Sequence, residues 1–393
     1  MGSARYGSAR TRRARRRSAR TGSGEDEVVM KRSTPCCTGN DGRSVLGVTR
    51  SWSRRPAWRC GVVALVLFAA AALSATAGAS TAPTVRPVVL PRDQGAHPGF
   101  GEEWWYTSGT LTGTNRREYF WFATIWSADG ALVAKVNVVD LGADRIVLRH
   151  EYVSATAVAA GQTQFTVGAF ELGLRSGDTL GRWSVDASTN TGGRLELDLV
   201  PRQPYVLHGH DGIIQQGTGG RSAYYSAPRL AARGVLMLNG KPVRVSGQGW
   251  LDHQWGNFGT DVGALKWNWF ACQFQNGSDL MLYQFLNQAN RPSGRQTGTL
   301  VTRTGVVKQL TRFTITPTGL SIRPAGAMAT YPLAWRLQVP TGKIDITIRA
   351  RARNQFITNQ FVPNFWEAAS EITTGAAGTC TVESSREVAA SPK

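Results

Sequence analysis

The sequence has 393 residues, of which 45 are Lys or Arg and 26 are Asp or Glu, so its formal charge is +19. A hydrophobic content of 41% and a charged content of 18% exclude a chain that is disordered throughout. The first 79 residues hold 15 of the basic and 4 of the acidic residues, so the charge excess gives no support for a nucleic-acid-binding protein. The 44 Gly and 13 Trp residues favour β structure with an aromatic interior.

The chain begins with segments typical of an exported protein. Residues 1–59 are rich in Arg, Ser and Gly without apolar periodicity, which predicts a disordered extension. Residues 62–73 form an uninterrupted apolar run, shorter than the about 20 residues that span a bilayer. Basic residues before this run and small residues after it predict a signal peptide over residues 60–79, of the Sec or, from Arg54-Arg55, the twin-arginine type. We expect a secreted or cell-envelope protein; an uncleaved anchor is the alternative.

Two cysteines lie beyond the predicted signal. Cys272 and Cys380 are 108 positions apart and can pair in an oxidising compartment. The sequence leaves the pairing open, because Cys272 sits in an aromatic run where a small buried apolar residue is also expected.

From residue 97 onward the sequence predicts an all-β protein with antiparallel sheets. Runs rich in Val, Tyr, Phe, Trp and Thr recur about every 8–12 residues between Gly, Asn, Asp and Pro, as in sandwiches and barrels. Hairpin turns are predicted at residues 127–130, 238–240 and 276–277. The predicted strands are 104–111, 119–126, 131–139, 165–174, 194–200, 234–238, 243–250, 265–275, 279–286, 299–304, 309–315 and 344–350.

Glu102 and Glu103 begin a run of aromatic residues. On a strand, Glu103 and Trp105 face one way, while Glu102, Trp104 and Tyr106 face the other. One carboxylate is therefore expected among aromatic rings, where burial would raise its pKa and suit it to general acid catalysis. The alternative is that both carboxylates lie in water at the end of the strand.

A second polar motif is Leu207-His208-Gly209-His210-Asp211-Gly212. Its two histidines would share one face of a strand and could hold a metal with a third ligand such as His253 or His97. A glycine-rich turn capped by polar residues explains the spacing better, so we predict no metal and no cofactor. His208 and Asp211 remain candidates for ligand binding.

A third motif surrounds the next histidine, in Trp250-Leu251-Asp252-His253-Gln254-Trp255-Gly256. In an extended segment His253 and Trp255 project to one face and Asp252 to the other. A histidine exchanges protons near neutral pH, and an indole face stabilises a developing carbocation. The alternative is a packed, hydrogen-bonded core histidine.

An aromatic hairpin is predicted over residues 267–283, with Trp267, Trp269, Gln273 and Tyr283 as its candidate site residues. It can form the wall of a binding site or an ordinary core. The sequence contains no Gly-x-Ser-x-Gly elbow, phosphate-binding loop or dinucleotide-binding motif.

These motifs occur in an order that resembles a known family. Glu103-Trp104-Trp105-Tyr106, the motif at 207–212, Tyr224-Tyr225-Ser226 with Pro228-Arg229, the motif at 250–256 and the hairpin at 267–283 are similar to the AttH-like proteins. These lipocalin-like proteins are related to carotenoid 1,2-hydratases and are often labelled predicted secreted hydrolases. The resemblance covers about residues 97–370. It implies two lipocalin-like β-barrel or sandwich domains side by side, at 97–255 and 256–378, with an apolar ligand site between or within them.

The resemblance also implies roles for individual residues. His253 and Trp255 match a His-x-Trp implicated in hydratase chemistry, and Tyr283 matches a later tyrosine. The aspartate that follows this tyrosine in hydratases has no counterpart here, so Asp252 or Glu103 would have to replace it. The expected ligand-binding residues are Trp104, Trp105, Tyr106, His208, Asp211, Tyr225, Trp267, Trp269 and Gln273.

The C-terminal part departs from the family pattern. Phe365-Trp366-Glu367-Ala368 looks like the start of the family's closing motif, but residues 379–393 read as a divergent polar tail. We therefore expect an incomplete second domain that lacks its closing strand and exposes a sheet edge, as after a truncation or frameshift.

The function expected from these residues is chemistry on an apolar isoprenoid or polyene. In the hydratase form, Asp252 or Glu103 protonates a C=C bond, Trp255 stabilises the cation and His253 deprotonates the attacking water. The alternatives are a non-catalytic carrier of a lipophilic ligand, associated with an ABC-type export system, and a pericyclase of the same family. Hydrolysis has the weakest support, because no activated nucleophile is visible.

Overall fold

The structure is a computed structural model that describes residues 83–128, 130–175, 180–216, 220–257, 266–325, 327–353, 355–358 and 364–388. The chain divides into the units Met1–Ala77 and Gly78–Lys393, and all the described residues belong to the second unit. The predicted extension, the predicted signal peptide and residues 389–393 lie outside the described residues. Within the described ranges, no helix is long and apolar enough to cross a membrane.

The first of two large antiparallel sheets is formed by residues 102–256. Its strands are β1 (Glu102–Gly113), β2 (Glu118–Ala128), β3 (Ala131–Asp140), β4 (Arg145–Ser154), β5 (Gln164–Val167), β6 (Phe170–Leu174), β7 (Trp183–Ser188), β8 (Arg194–Pro201), β9 (Val206–Leu207), β10 (Ile213–Gln216), β11 (Gly220–Leu238) and β12 (Lys241–Gly256). They pair in the order β4-β3-β2-β1-β12-β11-β8-β7-β6-β5, with β9 and β10 also on β11. Because β5 lies against β3 and β4, the sheet forms a nearly closed barrel.

The second sheet is formed by residues 266–384 and is a half-barrel. The strands of this part are β13 (Lys266–Phe274), β14 (Asp279–Leu286), β15 (Thr297–Val301), β16 (Val307–Leu310), β17 (Thr314–Pro317), β18 (Ser321–Ile322), β19 (Tyr331–Pro332), β20 (Ala334–Val339), β21 (Ile344–Ala350), β22 (Phe356–Ile357), β23 (Phe365–Thr374) and β24 (Gly378–Ser384). The pairing order is β16-β15-β14-β13-β24-β23-β21-β20-β17, with β22 on β23 and a separate ribbon of β18 and β19. Short 3-10 helices occupy Arg92–Gln94 and Pro340–Gly342.

The predicted all-β architecture is confirmed, and local sequence explains its hairpins. Asn239 and Gly240 connect β11 to β12 with φ angles of 50° and 73°. A two-residue hairpin loop with two positive φ angles is the type I′ turn, which Asn-Gly adopts with little strain. The other two predicted turns lie between β2 and β3 and between β13 and β14.

Apolar side chains form three clusters that follow the strand faces. One fills the barrel and contains Trp105, Trp121 and Trp183. A second lines the half-barrel and contains Trp335 and Trp366. The third joins the outer faces of the two sheets and contains Phe120, Phe122, Trp250, Trp267, Trp269 and Phe365. The sheets are therefore held together by an aromatic layer, which also surrounds the candidate site.

The prediction that the chain diverges into a patternless tail from residue 379 is wrong for the segment up to Ser384. Gly378–Ser384 is strand β24, and it lies inside the second sheet between β13 and β23. Its side chains alternate, with Cys380 and Val382 in the half-barrel core and Glu383 on the opposite face. Among the described strands, β16 and β17 form the edges of this sheet, so the second domain is an open half-barrel, as the expected incomplete domain implies.

A disulfide bond joins Cys272 to Cys380, which settles the pairing that the sequence leaves open. The two residues are directly opposite on β13 and β24, with Cα atoms 4.0 Å apart. Replacing both by Ala is expected to lower the free energy of unfolding by about 2–4 kcal/mol, because the bond closes a loop between residues 108 positions apart. Urea unfolding checks this. Dithiothreitol should reproduce the loss in the unaltered protein and have no effect on the double variant; equal midpoints would contradict it.

Candidate functional site

A cavity of about 180 Å³ lies between the two sheets. Aromatic rings of both sheets form most of its wall, including Trp104, Tyr106, Trp267, Trp269 and Tyr283. The polar side chains that reach it are Glu102, Thr124, Lys135, Asp252, Gln254, Glu367 and Glu383. An apolar enclosure with a few convergent polar groups is the usual form of a small-molecule site.

The alternation of side chains along β1 and β12 determines which residues of these strands line the cavity. Asp252 and Gln254 of β12 line it, as do Glu102, Trp104 and Tyr106 of β1. Glu103, Trp105, His253 and Trp255 point the other way, into the barrel, as expected from a period of two residues.

Asp252 is buried at the wall of the cavity and surrounded by hydrogen-bond donors. The hydroxyl of Tyr224 donates to Oδ2 over 2.7 Å, and Nε1 of Trp250 donates to Oδ1 over 2.6 Å. The hydroxyl of Ser226 also bonds to Oδ1. Burial raises the pKa of Asp252 to about 7, although these donors oppose the rise. Asp252 is therefore a carboxyl group that holds a proton close to neutral pH.

Two further carboxyl groups meet on the opposite wall. Glu367 of β23 and Glu383 of β24 are directly opposite each other in the sheet register. Burial raises the pKa of Glu383 to about 8, against a hydrogen bond from Trp267. Burial, together with the nearby Glu383, raises the pKa of Glu367 well above its usual value, although Tyr106 donates a hydrogen bond to it. Like charges directly opposite are unfavourable, so this pair retains protons at neutral pH.

This arrangement supplies protonated carboxylic acids next to aromatic faces. A neutral carboxylic acid can donate a proton to an apolar ligand, and the faces of indole and phenol rings attract positive charge. Exclusion of water by the aromatic wall strengthens both effects. The cavity is thus chemically suited to reactions that pass through a carbocation.

A different network fills one end of the barrel. Glu103 Oε1 lies 2.8 Å from His253 Nε2 and 2.7 Å from His97 Nδ1. Burial by itself would raise the pKa of Glu103, but the hydrogen bonds from the two imidazoles outweigh it and lower the pKa below its usual value. Burial lowers the pKa of His253 to about 4. The prediction that a carboxylate facing aromatic rings in this motif has a raised pKa is therefore wrong for Glu103, because it is paired.

The same three side chains have the residue types and the spacing of a metal site. Their ligand atoms lie within 4.8 Å of one another, a spacing that a shared ion would require. Glu103 Oε1, however, is hydrogen-bonded to both imidazoles, and Oε2 accepts the backbone N–H of His97 over 2.8 Å. Both carboxylate oxygens of Glu103 are thus engaged by His97 or His253, and the three residues form a hydrogen-bonded triad.

The sequence and the fold of this chain are similar to those of known proteins. A family model described as AttH-like matches residues 81–384. The chain belongs to the AttH-like family. Comparison with the curated proteins finds no match.

Solved structures with a similar fold include three that bear on this AttH-like protein. A putative AttH from Nitrosomonas europaea has 23% identity and a TM-score of 0.70, covering 79% of this chain and 100% of its own. Kievitone hydratase from Nectria haematococca has 19% identity and a TM-score of 0.62, with coverages of 79% and 95%. CghA with Sch210972 has 10% identity and a TM-score of 0.52, with coverages of 79% and 96%. At these identities the likeness shows the shared lipocalin-like fold.

The structure divides the predicted catalytic residues of this AttH-like protein between two places. Asp252 and Tyr283 line the cavity between the sheets. His253, Trp255 and Glu103 lie in the barrel, on the far side of β12 and β1. In the expected mechanism, Asp252 and His253 act on one ligand with Trp255 beside it. This mechanism does not fit the structure, because His253 and Trp255 do not reach the cavity that Asp252 lines.

The predicted ligand-binding residues divide in the same way. Trp104, Tyr106, Trp267 and Trp269 line the cavity. Trp105 and Tyr225 belong to the barrel core, where the hydroxyl of Tyr225 lies 3.1 Å from His253 Nδ1. These barrel residues are excluded from the cavity by the direction of their side chains.

Three other candidates also lie away from the cavity wall. His208 is buried behind Asp252, in contact with Ser226. Asp211 is exposed and caps a turn, where its Oδ1 accepts the N–H of Ile213 over 3.1 Å. Gln273 ties the sheets together, because its Nε2 donates to the backbone oxygens of Pro228 and Gly249. His210, which shares the motif with His208, is exposed at a φ of 78°, so the two imidazoles do not converge.

The cavity also contains polar residues that the sequence does not predict as site residues. Glu367, Glu383 and Tyr224 contribute polar groups to the cavity, although none of them was a predicted site residue. Glu367 stands in the recognised motif at 365–368, directly after Phe365 and Trp366. Glu383 follows Cys380 and Val382 in a period-two pattern, which was the available signal for a buried strand.

The stability of the protein is expected to fall between pH 6.5 and pH 8. Asp252 and Glu383 have raised pKa values of about 7 and 8, so the stability that their protonated forms provide is lost as the pH rises through those values. Burial lowers the pKa values of His208 and His253 to about 3 and 4, so their opposing contribution is largest below about pH 6.5 and fades by about pH 7.5. Each proton that the folded protein holds and the unfolded chain has released lowers the free energy of unfolding by about 1.4 kcal/mol per pH unit.

Urea unfolding at pH 6.5 and pH 8 measures this effect. We expect a loss of about 2 kcal/mol in the unaltered protein and a smaller loss in Glu383→Gln, which cannot release that proton. Stability that is constant or rises across this interval would show that the cavity carboxyl groups are ionised at pH 6.5.

Proposed function

We propose that this AttH-like protein binds an apolar isoprenoid or polyene between its sheets and adds water to one of its C=C bonds by acid catalysis. The observation that carries the proposal is the buried Asp252, with a pKa raised to about 7, in a cavity walled by aromatic rings. The fold that the chain shares with a protein named kievitone hydratase supports this choice of reaction.

The reaction begins with proton donation from Asp252. The π electrons of the alkene form a C–H bond with this proton, which leaves Asp252 as a carboxylate and places a positive charge on the second carbon. The faces of Trp104, Trp267 and Trp269 lie on the wall around this charge and stabilise it. A positioned general acid typically contributes a factor of about 100 to 10,000 to the rate.

Water then completes the addition. Its oxygen forms a C–O bond with the cationic carbon, and the proton it releases passes to a carboxylate of the cavity. Asp252, now ionised, accepts this proton and is restored as an acid.

Two other functions use the same cavity. A pericyclase would need the shape of the aromatic wall and a few hydrogen bonds, and the shared fold with CghA favours this second candidate. A carrier would bind the same ligand without changing it. For hydrolysis, the part of the chain that the structure describes places no activated nucleophile in the cavity: Ser226 touches both His208 and Asp252, but it is completely buried between them.

The proposal includes export of the protein from the cell. The predicted signal at residues 60–79 would deliver the protein to the cell envelope or the medium, where a link to an ABC-type export system is the proposed association. N-terminal sequencing of the secreted protein tests the cleavage near Ala79.

The test of function starts with the bound molecule. Native mass spectrometry of the protein from its own producer, followed by extraction, identifies the ligand class. That ligand or its unsaturated precursor is then incubated with the protein in water labelled with ¹⁸O. A product with one added ¹⁸O supports hydration, an isomer without label indicates a pericyclase, and an unchanged ligand indicates a carrier.

A further inference from the structure

A chain of buried hydrogen bonds extends from Asp252 away from the cavity. Asp252 Oδ1 contacts the hydroxyl of Ser226, and that hydroxyl lies 2.7 Å from His208 Nε2. On its other side, His208 Nδ1 lies 2.8 Å from the hydroxyl of Thr299. This series of hydrogen bonds crosses from the first sheet to the second, since Thr299 belongs to β15. Ser226, His208 and Thr299 are all at most 1% exposed, so bulk water does not reach these bonds.

The hydroxyl of Ser226 has one proton and stands between two possible acceptors. When His208 carries its proton on Nε2, that N–H donates to Ser226, and Ser226 donates to an ionised Asp252. When Nε2 is unprotonated, it accepts the proton of Ser226, and the serine oxygen can then only accept a hydrogen bond from a protonated Asp252. The position of the proton on the imidazole and the state of the carboxyl group are therefore linked.

The end of the hydrogen-bond series at Thr299 accommodates both positions of the imidazole proton. The hydroxyl of Thr299 lies within reach of two acceptors, Gln309 Oε1 at 3.1 Å and His208 Nδ1. Gln309 is oriented by its Nε2, which donates to the backbone oxygen of Leu207 over 3.1 Å. Its Oε1 also accepts the N–H of Gly209 over 3.0 Å, so it keeps a partner when Thr299 turns to His208. Each arrangement satisfies all the polar atoms, as a two-state network requires.

We propose that His208 acts through Ser226 as a positioning residue that decides whether Asp252 holds its proton. The use of that proton on a ligand rests on the proposed function, whereas the linkage itself does not. His208 thereby has a role although it does not reach the cavity.

Other titratable groups face Asp252 and must be separated from this effect. Tyr224 touches it directly, and Glu102, Lys135, Tyr283, Glu367 and Glu383 line the same cavity. Burial raises the pKa values of both tyrosines well above 10, so they stay neutral throughout a titration from pH 5 to pH 9. Both Glu367 and Glu383 line the same cavity and have raised pKa values, which calls for a residue-specific signal.

Carbon-13 NMR of the full protein, labelled at the aspartate carboxyl carbons, gives such a signal without any ligand. The resonance that disappears in Asp252→Asn identifies this residue, and its titration midpoint is then compared among variants. Ser226→Ala removes a donor to the carboxylate, so the midpoint should rise by about one pH unit. His208→Phe leaves Ser226 with Asp252 as its acceptor, so the midpoint should fall by about one pH unit.

The double variant decides the proposal. If His208 acts through Ser226, His208→Phe adds no further shift to Ser226→Ala. A His208 effect that persists without Ser226, or equal midpoints in all variants, would overturn it. Thr299→Val is the companion variant in case the larger replacement does not fold, because loss of the Nδ1 partner favours the proton on Nε2 and should also lower the midpoint. A linkage observed in a protein that adds no water would refute the proposed function alone.

Discussion

Asp252→Asn is expected to reduce turnover at least about a hundredfold while ligand affinity stays within about threefold. The amide has the shape of the acid but no proton to donate, so the loss should appear in kcat rather than in binding. A hundredfold loss corresponds to about 2.7 kcal/mol of transition-state stabilisation. The measurement is single-turnover kinetics with the extracted ligand or its precursor, together with an equilibrium titration of the same compound.

Asp198→Asn is the matched control for this variant. Asp198 is an exposed aspartate of β8, so the same change of side chain should leave turnover unaltered. If Asp252→Asn retains its turnover and Glu383→Gln loses it, the acid is the carboxyl pair. If both retain turnover, the reaction depends on cavity shape, as a pericyclase would require.

Asp279→Ala is expected to lower the free energy of unfolding by about 3–5 kcal/mol. Asp279 of β14 is completely buried, and its two oxygens lie 3.0 Å and 3.1 Å from the guanidinium of Arg229 on β11. Burial raises the pKa of Asp279 to about 6, although Arg229 opposes the rise. Removing one partner leaves a largely buried charge without its counter-ion, which is the costly way to break such a pair.

Urea unfolding of the single and double variants measures this pair. Arg229 also donates to the backbone oxygens of Phe274 and Ser278, so its own removal should cost a comparable amount. The double variant Asp279→Leu with Arg229→Met should recover part of the loss, because no unpaired charge remains. A loss below about 1 kcal/mol for Asp279→Ala would show that water reaches Arg229 easily when its partner is gone.

The period-two rule predicted correctly which residues share a face. It separated Glu103 from Tyr106 and Asp252 from His253 before any fold was known, because alternation depends on local backbone geometry alone. It did not show that Asp252 and Trp269 line one cavity, since they belong to different sheets and their proximity depends on how the sheets pack.

The carboxyl pair shows a second reason why part of the site was not predictable. Glu367 and Glu383 are brought together by the register of β23 and β24, which no local pattern specifies. From the sequence alone, residue 383 is predicted to belong to a polar, patternless tail. In the structure, two buried side chains and a disulfide bond hold this segment in the sheet.

The position of β24 has a consequence for how the protein is made. Its neighbours β13 and β23 are translated earlier, and each presents an unpaired inner edge until residue 384 has left the ribosome. During translation the aromatic wall therefore lacks one of its strands, and the open edges can pair with other chains. The nascent half-barrel depends on its last strand, so its folding is completed after elongation has passed that point.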